Sequence, residues 1–373
     1  MGCMRDDTTA DISRRQALQL GAAAIAVSAA GCIDSLGSDE ETPEYASAII
    51  NGLDEFDDED EEGLVFFYME TLEEESEEEA DDPEDGDDVE DPMLSAVGAP
   101  FGILFLGGFM LAPTGLDELI GGGFGFEDEE EEQPEFNTEI DEILMVDGAL
   151  MMRGNIDTDE TDDLLRAESD AFFGFGSVVY EPDEEVGEYT LYKPELGGEF
   201  GDGSDDGAGD GDEMDEETVP VAVADDEILL GSQENIEMIR EARAGDRETL
   251  ADESEEFEWL VSNAGHGTWA FGAYGVEEAD EPAEDAADMD EIDEAFLEAG
   301  LEPVGMVNSL SFDTAVEEPE TFEAAFAASF EEEIGEDGED AIEEYFGTEA
   351  EEIEFEFDGN RVFISGTYEE FLE

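Results

Sequence analysis

The segment Val219–Tyr274 decides the fold. It begins Val-Pro-Val-Ala-Val-Ala-Asp-Asp-Glu-Ile-Leu-Leu-Gly-Ser and ends Thr-Trp-Ala-Phe-Gly-Ala-Tyr. Its first part predicts two strands joined by a tight turn at Asp225-Asp226. Helical patterns follow over 235–244, which ends near Gly245, and over 255–263. A strand at 268–274 closes the segment, so strands and helices are both expected in the folded body.

Charge is the second decisive feature. The chain has 373 residues, with 116 Asp plus Glu against 10 Lys plus Arg, and a formal net charge of −106. Acid-rich chains of low hydrophobicity are usually disordered. This chain is 40% hydrophobic and has 25 Phe, which is enough for a packed core. We therefore expect a folded protein with an acid-covered surface.

Such a surface implies a particular solvent and excludes one class of partner. Its carboxylates repel one another in dilute buffer, whereas at 1 M salt the Debye length is about 3 Å. With Lys193 as its only lysine, the chain resembles the proteins of extreme halophiles, especially haloarchaea. Binding to nucleic acid needs the Lys and Arg side chains that this chain lacks, so no nucleic-acid partner is expected.

The N-terminus predicts an export signal over residues 1–31. Ser-Arg-Arg-Gln-Ala-Leu, with Arg14 and Arg15, resembles the twin-arginine motif, and Ala-Ala-Gly-Cys, ending at Cys32, resembles a lipobox. These resemblances imply export by the twin-arginine translocase, cleavage before Cys32, and a lipid on its thiol. The expected location is the extracellular face of the cell membrane. A plain signal with an incidental cysteine and an uncleaved anchor are the alternatives.

The body is predicted to be α+β, with two tandem strand-helix units and antiparallel sheets. An acidic tether is expected over 32–62, a first unit over 63–263 and a shorter second unit over 267–373. Each unit contains a strand, at 64–69 and 269–274, and a later hairpin, turned at Asp225-Asp226 or Asp358-Gly359. In this interpretation Phe322, Phe326 and Phe330 form the apolar stripe of a helix in the second unit.

An uncharged stretch of 25 residues, 92–116, stands out from the acidic background. Its length and apolarity fit a membrane span. Its glycines, Pro100 and Pro113 favour packing inside the first unit instead, because they interrupt a helix and leave backbone groups unpaired in lipid.

No catalytic constellation is evident. His266 lies in a Gly-His-Gly turn and is interpreted as a polar loop residue, with a role as base or ligand as the alternative. A His/Cys zinc site is excluded, because this is the only histidine and the two cysteines, Cys3 and Cys32, lie in the signal region. A Ser-His-acid triad lacks its Gly-x-Ser-x-Gly elbow. No cofactor or metal is predicted.

Two charged clusters allow a functional interpretation beside a plain one. Arg240, Arg243 and Arg247 share one helix face, which suits either an anion or partner site, or ion pairing with acids around 252–256. The acidic loop 202–217 suits either a solvated surface or a Ca²⁺ or Mg²⁺ site. Paired carboxylates are so numerous that a glycosidase-like pair cannot be singled out.

The runs Val-Ala-Val-Ala-Asp-Asp-Glu-Ile-Leu-Leu-Gly-Ser from Val221 and Glu-Asn-Ile-Glu-Met-Ile-Arg-Glu-Ala-Arg-Ala-Gly from Glu234 resemble haloarchaeal exported lipoproteins of unassigned function. They are also similar to a bacterial domain of unknown function with tandem strand-helix units. The resemblance covers about residues 143–275 and implies no catalytic residue.

The sequence thus predicts a lipid-anchored cell-surface protein that acts as a non-catalytic binding or structural module. Two alternatives remain open. One is a lipid- or solute-binding protein that uses residues 92–116, and the other is a carboxylate-based hydrolase.

Overall fold

In the computed structural model, residues 41–373 cluster into one compact unit. The structure describes residues 42–52, 63–71, 91–97, 111, 114–120, 136–167, 178–196, 219–275, 296, 301–312 and 321–369.

Twelve strands form one open antiparallel sheet. In chain order the strands are β1 (Leu64–Glu70), β2 (Glu139–Val146), β3 (Ala149–Asn155), β4 (Val178–Val186), β5 (Tyr189–Leu196), β6 (Val221–Val223), β7 (Glu227–Leu230), β8 (Trp269–Tyr274), β9 (Pro303–Ser311), β10 (Thr321–Phe330), β11 (Glu352–Asp358) and β12 (Arg361–Glu369). Across the sheet their order is β11-β12-β10-β9-β8-β1-β2-β3-β7-β6-β5-β4.

Short helices accompany the sheet. The α-helices are α1 (Thr158–Arg166), α2 (Gln233–Arg243), α3 (Leu250–Glu253), α4 (Glu255–Ala264) and α5 (Glu336–Tyr345). Three 3₁₀ helices are η1 (Glu44–Ala48), η2 (Pro92–Val97) and η3 (Leu116–Ile120). The Asp157 side chain caps α1 by accepting a hydrogen bond from the backbone N–H of Glu160.

The prediction of two α+β units is wrong, because a single sheet runs through both. β1 from the first unit pairs antiparallel with β8 from the second, in a register that runs from Leu64 opposite Tyr274 to Met69 opposite Trp269. Separate units would have left β1 and β8 as edges with unpaired backbone groups. Their pairing satisfies those groups and places both strands at the centre of the sheet.

Each face of the sheet carries its own packed layer. One face, here called the Phe326 face, buries Phe326, Phe296 and Phe346 in one cluster and Leu116, Leu150 and Leu165 in another. On the opposite face, here called the Phe66 face, the ring of Phe66 meets Phe257 of α4 edge to face, 6.1 Å between centroids.

The helix predicted around Phe322, Phe326 and Phe330 is also wrong, because these residues form β10. A spacing of four residues suits both a helix stripe and one face of a strand. Alanines occupy most of the positions between the phenylalanines, and both faces of β10 are buried, so the sequence shows no apolar-polar alternation. A strand with two covered faces cannot be told from a helix by periodicity alone.

The predicted tether extends too far. Residues 42–52 belong to the folded body, and Tyr45, Ala48 and Ile49 of this segment are buried. The Tyr45 hydroxyl donates a hydrogen bond to the carbonyl of Gly265, 3.0 Å away, and the N–H of Leu250 donates to the carbonyl of Ile49. An acidic tether can therefore include residues only as far as about Glu41.

The described parts of 92–116 cover the sheet. Met93 is buried against the strands of the second half, whereas Leu111 and Leu116 are buried against those of the first half. The expectation that the segment packs within the first half is thus wrong for its beginning. Within the described ranges, no helix has the length and apolarity needed to cross a membrane.

Segment Val219–Tyr274 adopts the predicted order of β6, β7, α2, α4 and β8, with one additional short helix, α3, directly before α4. A further tight hairpin lies earlier in the chain, over residues 139–155. The structure turns at Asp147 (φ 35°) and Gly148 (φ 70°) and forms β2 and β3. Positive φ at both positions is the signature of a tight hairpin turn with an Asp-Gly sequence.

Candidate functional site

A row of charged residues crosses four adjacent strands on the Phe66 face. Glu70 of β1 lies opposite Glu142 of β2, Glu142 lies opposite Arg153 of β3, and Arg153 lies opposite Glu227 of β7. Side chains directly opposite one another in an antiparallel sheet point to the same face, about 5 Å apart at Cβ. The sheet register therefore assembles these four residues, here called the polar row.

Arg153 is the centre of the polar row. Its Nη1 lies 3.0 Å from Glu142 Oε2, and its Nη2 lies 2.6 Å from Oε1 of Glu44 in η1. Its Nε lies 4.0 Å from Glu227 Oε2. These carboxylates raise the pKa of the guanidinium against the opposing effect of burial. Arg153 thus ties η1 to three strands.

Glu227 is the buried end of the polar row, with only 1% of its surface exposed. The Tyr189 hydroxyl donates to its Oε1 at 2.6 Å, and Nε of Arg243, from α2, lies 3.1 Å from its Oε2. Burial raises the pKa of Glu227, while the hydrogen bond from Tyr189 and the two arginines oppose that rise. A carboxylate this deep needs such partners to stay charged.

Glu70 is the exposed end. Desolvation and the negative charge of Glu142 raise its pKa, and a hydrogen bond from Tyr68 opposes the rise. Tyr68 is itself buried, and its ring stacks on that of Tyr45 with centroids 4.2 Å apart. Glu70 therefore takes up a proton at a higher pH than an ordinary glutamate does, which relieves its repulsion from Glu142.

The arrangement is mainly an ion-pair network. Glu142, the inner member of the carboxylate pair, is ion-paired with Arg153 and is therefore not free to act as a general base. No group of three or more His, Cys, Asp or Glu that could hold a metal ion occurs within the ranges that the structure describes. The chemistry that the polar row offers is charge pairing.

The three predicted arginines of α2 and the turn after it have different surroundings. Arg243 turns inward to Glu227, Arg240 lies 3.9 Å from Glu237, and Arg247 lies 3.5 Å from Glu241. One interpretation of the sequence predicts ion pairs with acids around 252–256, but the observed partners are other acids. The structure therefore distributes the three arginines over separate ion pairs and brings only Arg243 into the polar row.

His266 lies in the turn between α4 and β8. Its Nε2 is buried and has no hydrogen-bond partner within the described residues. A Ser-His pair of the kind that activates a serine nucleophile requires such a bond. In the part of the chain that the structure describes, Nε2 of His266 is therefore not hydrogen-bonded to a serine hydroxyl.

A second buried carboxylate, Asp91, holds two distant segments together. Its Oδ1 accepts from the N–H groups of Met93 and Gly347, both at 3.0 Å. Its Oδ2 accepts from the N–H of Glu349 at 3.2 Å and from the Tyr368 hydroxyl at 3.0 Å. With four donors, this side chain fixes η2 to the α5–β11 connection and to β12.

Several predicted site residues fall outside the described residues. These are Arg14, Arg15 and Cys32 of the signal, and the acidic loop 202–217.

Comparison with known proteins adds no relative. No protein-family model matches the chain, and no curated protein or solved structure matches it. The resemblance to haloarchaeal lipoproteins and to a bacterial domain of unknown function therefore stays a prediction.

The polar row was not identified from the sequence, because residues that are neighbours in the sheet are far apart in the sequence. Glu142 and Arg153 are separated by 11 residues, and Arg153 and Glu227 by 74. One signal was present. Arg153 and Glu227 are charged residues at the ends of apolar strands, where a charge is expensive to bury without a partner.

Proposed function

We propose that the chain is a lipid-anchored protein on the outer surface of a halophilic archaeal cell, where it acts as a non-catalytic binding or structural module. The proposal combines the N-terminal motifs at Arg14, Arg15 and Cys32 with the charge on the surface of the folded body.

One observation carries the proposal: every basic residue after the signal is engaged by the protein itself. Arg153 and Arg243 bind acids of the polar row, and Arg361 lies over the Trp259 ring, 5.0 Å from its centroid. The other four lie in ion pairs, Arg166 with Asp162, Lys193 with Asp183, Arg240 with Glu237 and Arg247 with Glu241.

The surface left to partners is consequently anionic. A body of this kind stays soluble and unassociated where salt screens its carboxylates, which fits exposure to brine outside the cell. It offers no free cation to nucleic acid or to an anionic substrate, and its natural partners are cationic or neutral. This supports a binding or structural role.

The two alternatives receive unequal support. Met93, Leu111 and Leu116 of the 92–116 stretch are used as cover for the sheet, which speaks against a lipid- or solute-binding role for the described part of that stretch. The Glu70–Glu142 pair is the observation that favours a carboxylate-based hydrolase. Its inner member, however, is bound to Arg153.

Export and lipid attachment can be tested in an archaeal host that grows in molar salt. Replacing Arg14 and Arg15 together by lysine should leave full-length precursor in the cytoplasm. Cys32→Ser should abolish lipid labelling and release the protein from the membrane fraction, whereas Cys3→Ser should leave both unchanged. Normal export of the first variant, or lipid labelling of the second, would contradict the proposal.

A further inference from the structure

The two edges of the sheet are built differently. β4 contains Pro182, which has no N–H to donate, and its register shifts between Pro182 and Glu184. A proline and a bulge are the usual means of blocking an edge strand. β11, at the other edge, has neither, and it pairs with β12 in an unbroken register from Glu352 opposite Thr367 to Asp358 opposite Arg361.

β11 also has a strict two-sided pattern. Its residues on the Phe66 face are all acidic and exposed, whereas those on the Phe326 face are apolar and half-buried. The acidic set is Glu352, Glu354, Glu356 and Asp358, and the apolar set is Ile353, Phe355 and Phe357. The rings of Phe355 and Phe357 are nearly parallel, at 2°, with centroids 6.3 Å apart.

We propose that the outer edge of β11 is a docking site for an extended segment of a partner protein, in which Lys or Arg alternates with apolar residues. The segment adds a further strand to the sheet through main-chain hydrogen bonds. Its basic side chains lie beside Glu354 and Glu356, and its apolar side chains lie beside Phe355 and Phe357. This inference rests on the proposed role as a binding module, and it names the chemistry of the partner.

Charge complementarity decides between occupants. A second copy of β11 that matched apolar to apolar would place Glu and Asp opposite Glu and Asp, and like charges directly opposite one another destabilise a strand pair. A segment that alternates basic and apolar residues complements both faces of this edge, because no lysine or arginine of β11 itself offsets its acids. The acids thus reject copies of this chain and acidic neighbours while admitting a basic strand.

High salt sharpens this selectivity. At about 1 M salt the Debye length is about 3 Å, so the general attraction of a basic peptide to an acidic surface is screened. The main-chain hydrogen bonds of an added strand and the contacts of its apolar side chains with Phe355 and Phe357 do not depend on charge and are not screened. Binding that persists in molar salt and depends on alternation therefore reports strand addition and not bulk charge.

The test uses the full-length protein in detergent and molar NaCl, with synthetic nine-residue peptides titrated by fluorescence anisotropy. The probe alternates lysine and valine. One control has the same composition with the lysines in a block, and another carries N-methyl groups on alternate backbone amides. We expect the alternating peptide to bind at least tenfold more tightly than either control.

Variants then locate the site. Glu354→Lys with Glu356→Lys should weaken the alternating lysine peptide at least tenfold and strengthen a peptide of alternating glutamate and valine. The matched pair on the blocked edge is Glu181→Lys with Glu184→Lys, two exposed acids that share one face of β4, and it should leave both affinities unchanged.

Three outcomes overturn the proposal. In the first, the peptide with its lysines in a block binds as tightly as the alternating peptide. In the second, the β4 variants weaken binding as much as the β11 variants do. In the third, the wild-type chain self-associates and the β11 variants abolish this, which would make a second copy the occupant. The peptide titration and the lipid-labelling experiment are independent. A protein without lipid at Cys32 can still bind the peptide, and failure to bind the peptide does not contradict lipid attachment.

Discussion

The ring of Phe66 lies against the Cα of Gly272, its partner across the β1–β8 pair, so that a Cβ on Gly272 would overlap the ring. This contact sits where the two halves of the sheet join. Because Gly272 has no side chain, the Phe66 ring can lie over it and contact Phe257 of α4. The junction therefore requires glycine at position 272.

Gly272→Ala should therefore destabilise the whole body. Overpacking a filled core costs about 1–3 kcal/mol, and because one sheet joins both halves, the loss should appear in a single unfolding transition. Denaturant unfolding followed by Trp259 and Trp269 fluorescence in molar salt measures it. Gly335→Ser is the control, since no atom lies within 4 Å of the new Cβ, and it should be neutral or slightly stabilising. Two separate transitions for the wild type would contradict one continuous sheet.

How much of this fold is visible in the sequence depends on which faces are buried. Segment Val219–Tyr274 was predicted correctly because its turns and helix caps are local signals, such as Ser232, whose side chain accepts from the N–H of Asn235. β10 was mistaken for a helix because α4 and the Phe326 cluster bury both of its faces. The β1–β8 pairing joins strands about 200 residues apart, and no local pattern specifies such a partner.

The candidate site follows the same rule. Arg243 was recognised as charged on an amphipathic helix, but its partner Glu227 was not, because that pairing depends on how α2 lies on the sheet. Glu227 directly follows the predicted turn at Asp225-Asp226, and nothing in the sequence set it apart from the many other acids. In a chain with 116 acidic residues, only burial separates a functional or structural carboxylate from a solvated one.

Removing the buried charge at the end of the polar row should be costly. Glu227→Gln leaves Arg243 without its buried anionic partner, and breaking one side of a buried ion pair costs about 3–5 kcal/mol. Glu241→Gln is the matched control, because the Arg247–Glu241 pair is largely exposed and such pairs contribute less than about 1 kcal/mol. Both free energies of unfolding should be measured in the same molar salt. Equal losses would show that Glu227 carries no special role.

The Glu70–Glu142 pair should leave a signature in the pH dependence of stability. The pKa of Glu70 is raised in the folded state by desolvation and by Glu142, so the folded protein binds this proton more tightly than the unfolded chain. The contribution to stability is then gained as pH falls through the folded pKa and lost as pH rises through it, in a window above about 4.3.

Glu70→Gln should remove this contribution. We expect the variant to be at least as stable as the wild type near neutral pH, with the difference shrinking as the pH is lowered at constant molar salt. Glu258→Gln, on an exposed position of α4, controls for the loss of one negative charge. If both variants change the pH profile alike, general surface charge and not the facing pair is responsible.

Asp91 offers a test of how η2 is attached. Asp91→Asn replaces an oxygen that accepts hydrogen bonds by an amide nitrogen that cannot, among four donors. Leaving buried donors unpaired costs about 1–3 kcal/mol each, so we expect a loss of a few kcal/mol and faster hydrogen exchange at Met93 and Gly347. Tyr368→Phe removes one donor and keeps the carboxylate, and it should cost less. Unchanged exchange at Met93 in Asp91→Asn would contradict this attachment.

The most direct test of the account is the unfolding free energy as a function of salt. The body uses its few cations internally and faces solvent with carboxylates, so its stability should depend on screening. We predict that the midpoint of unfolding rises steeply as NaCl or KCl increases from dilute to molar, and that mild acid partly replaces salt because it neutralises the same carboxylates. A cooperatively folded protein in dilute buffer at neutral pH, with a midpoint that salt does not move, would contradict the account.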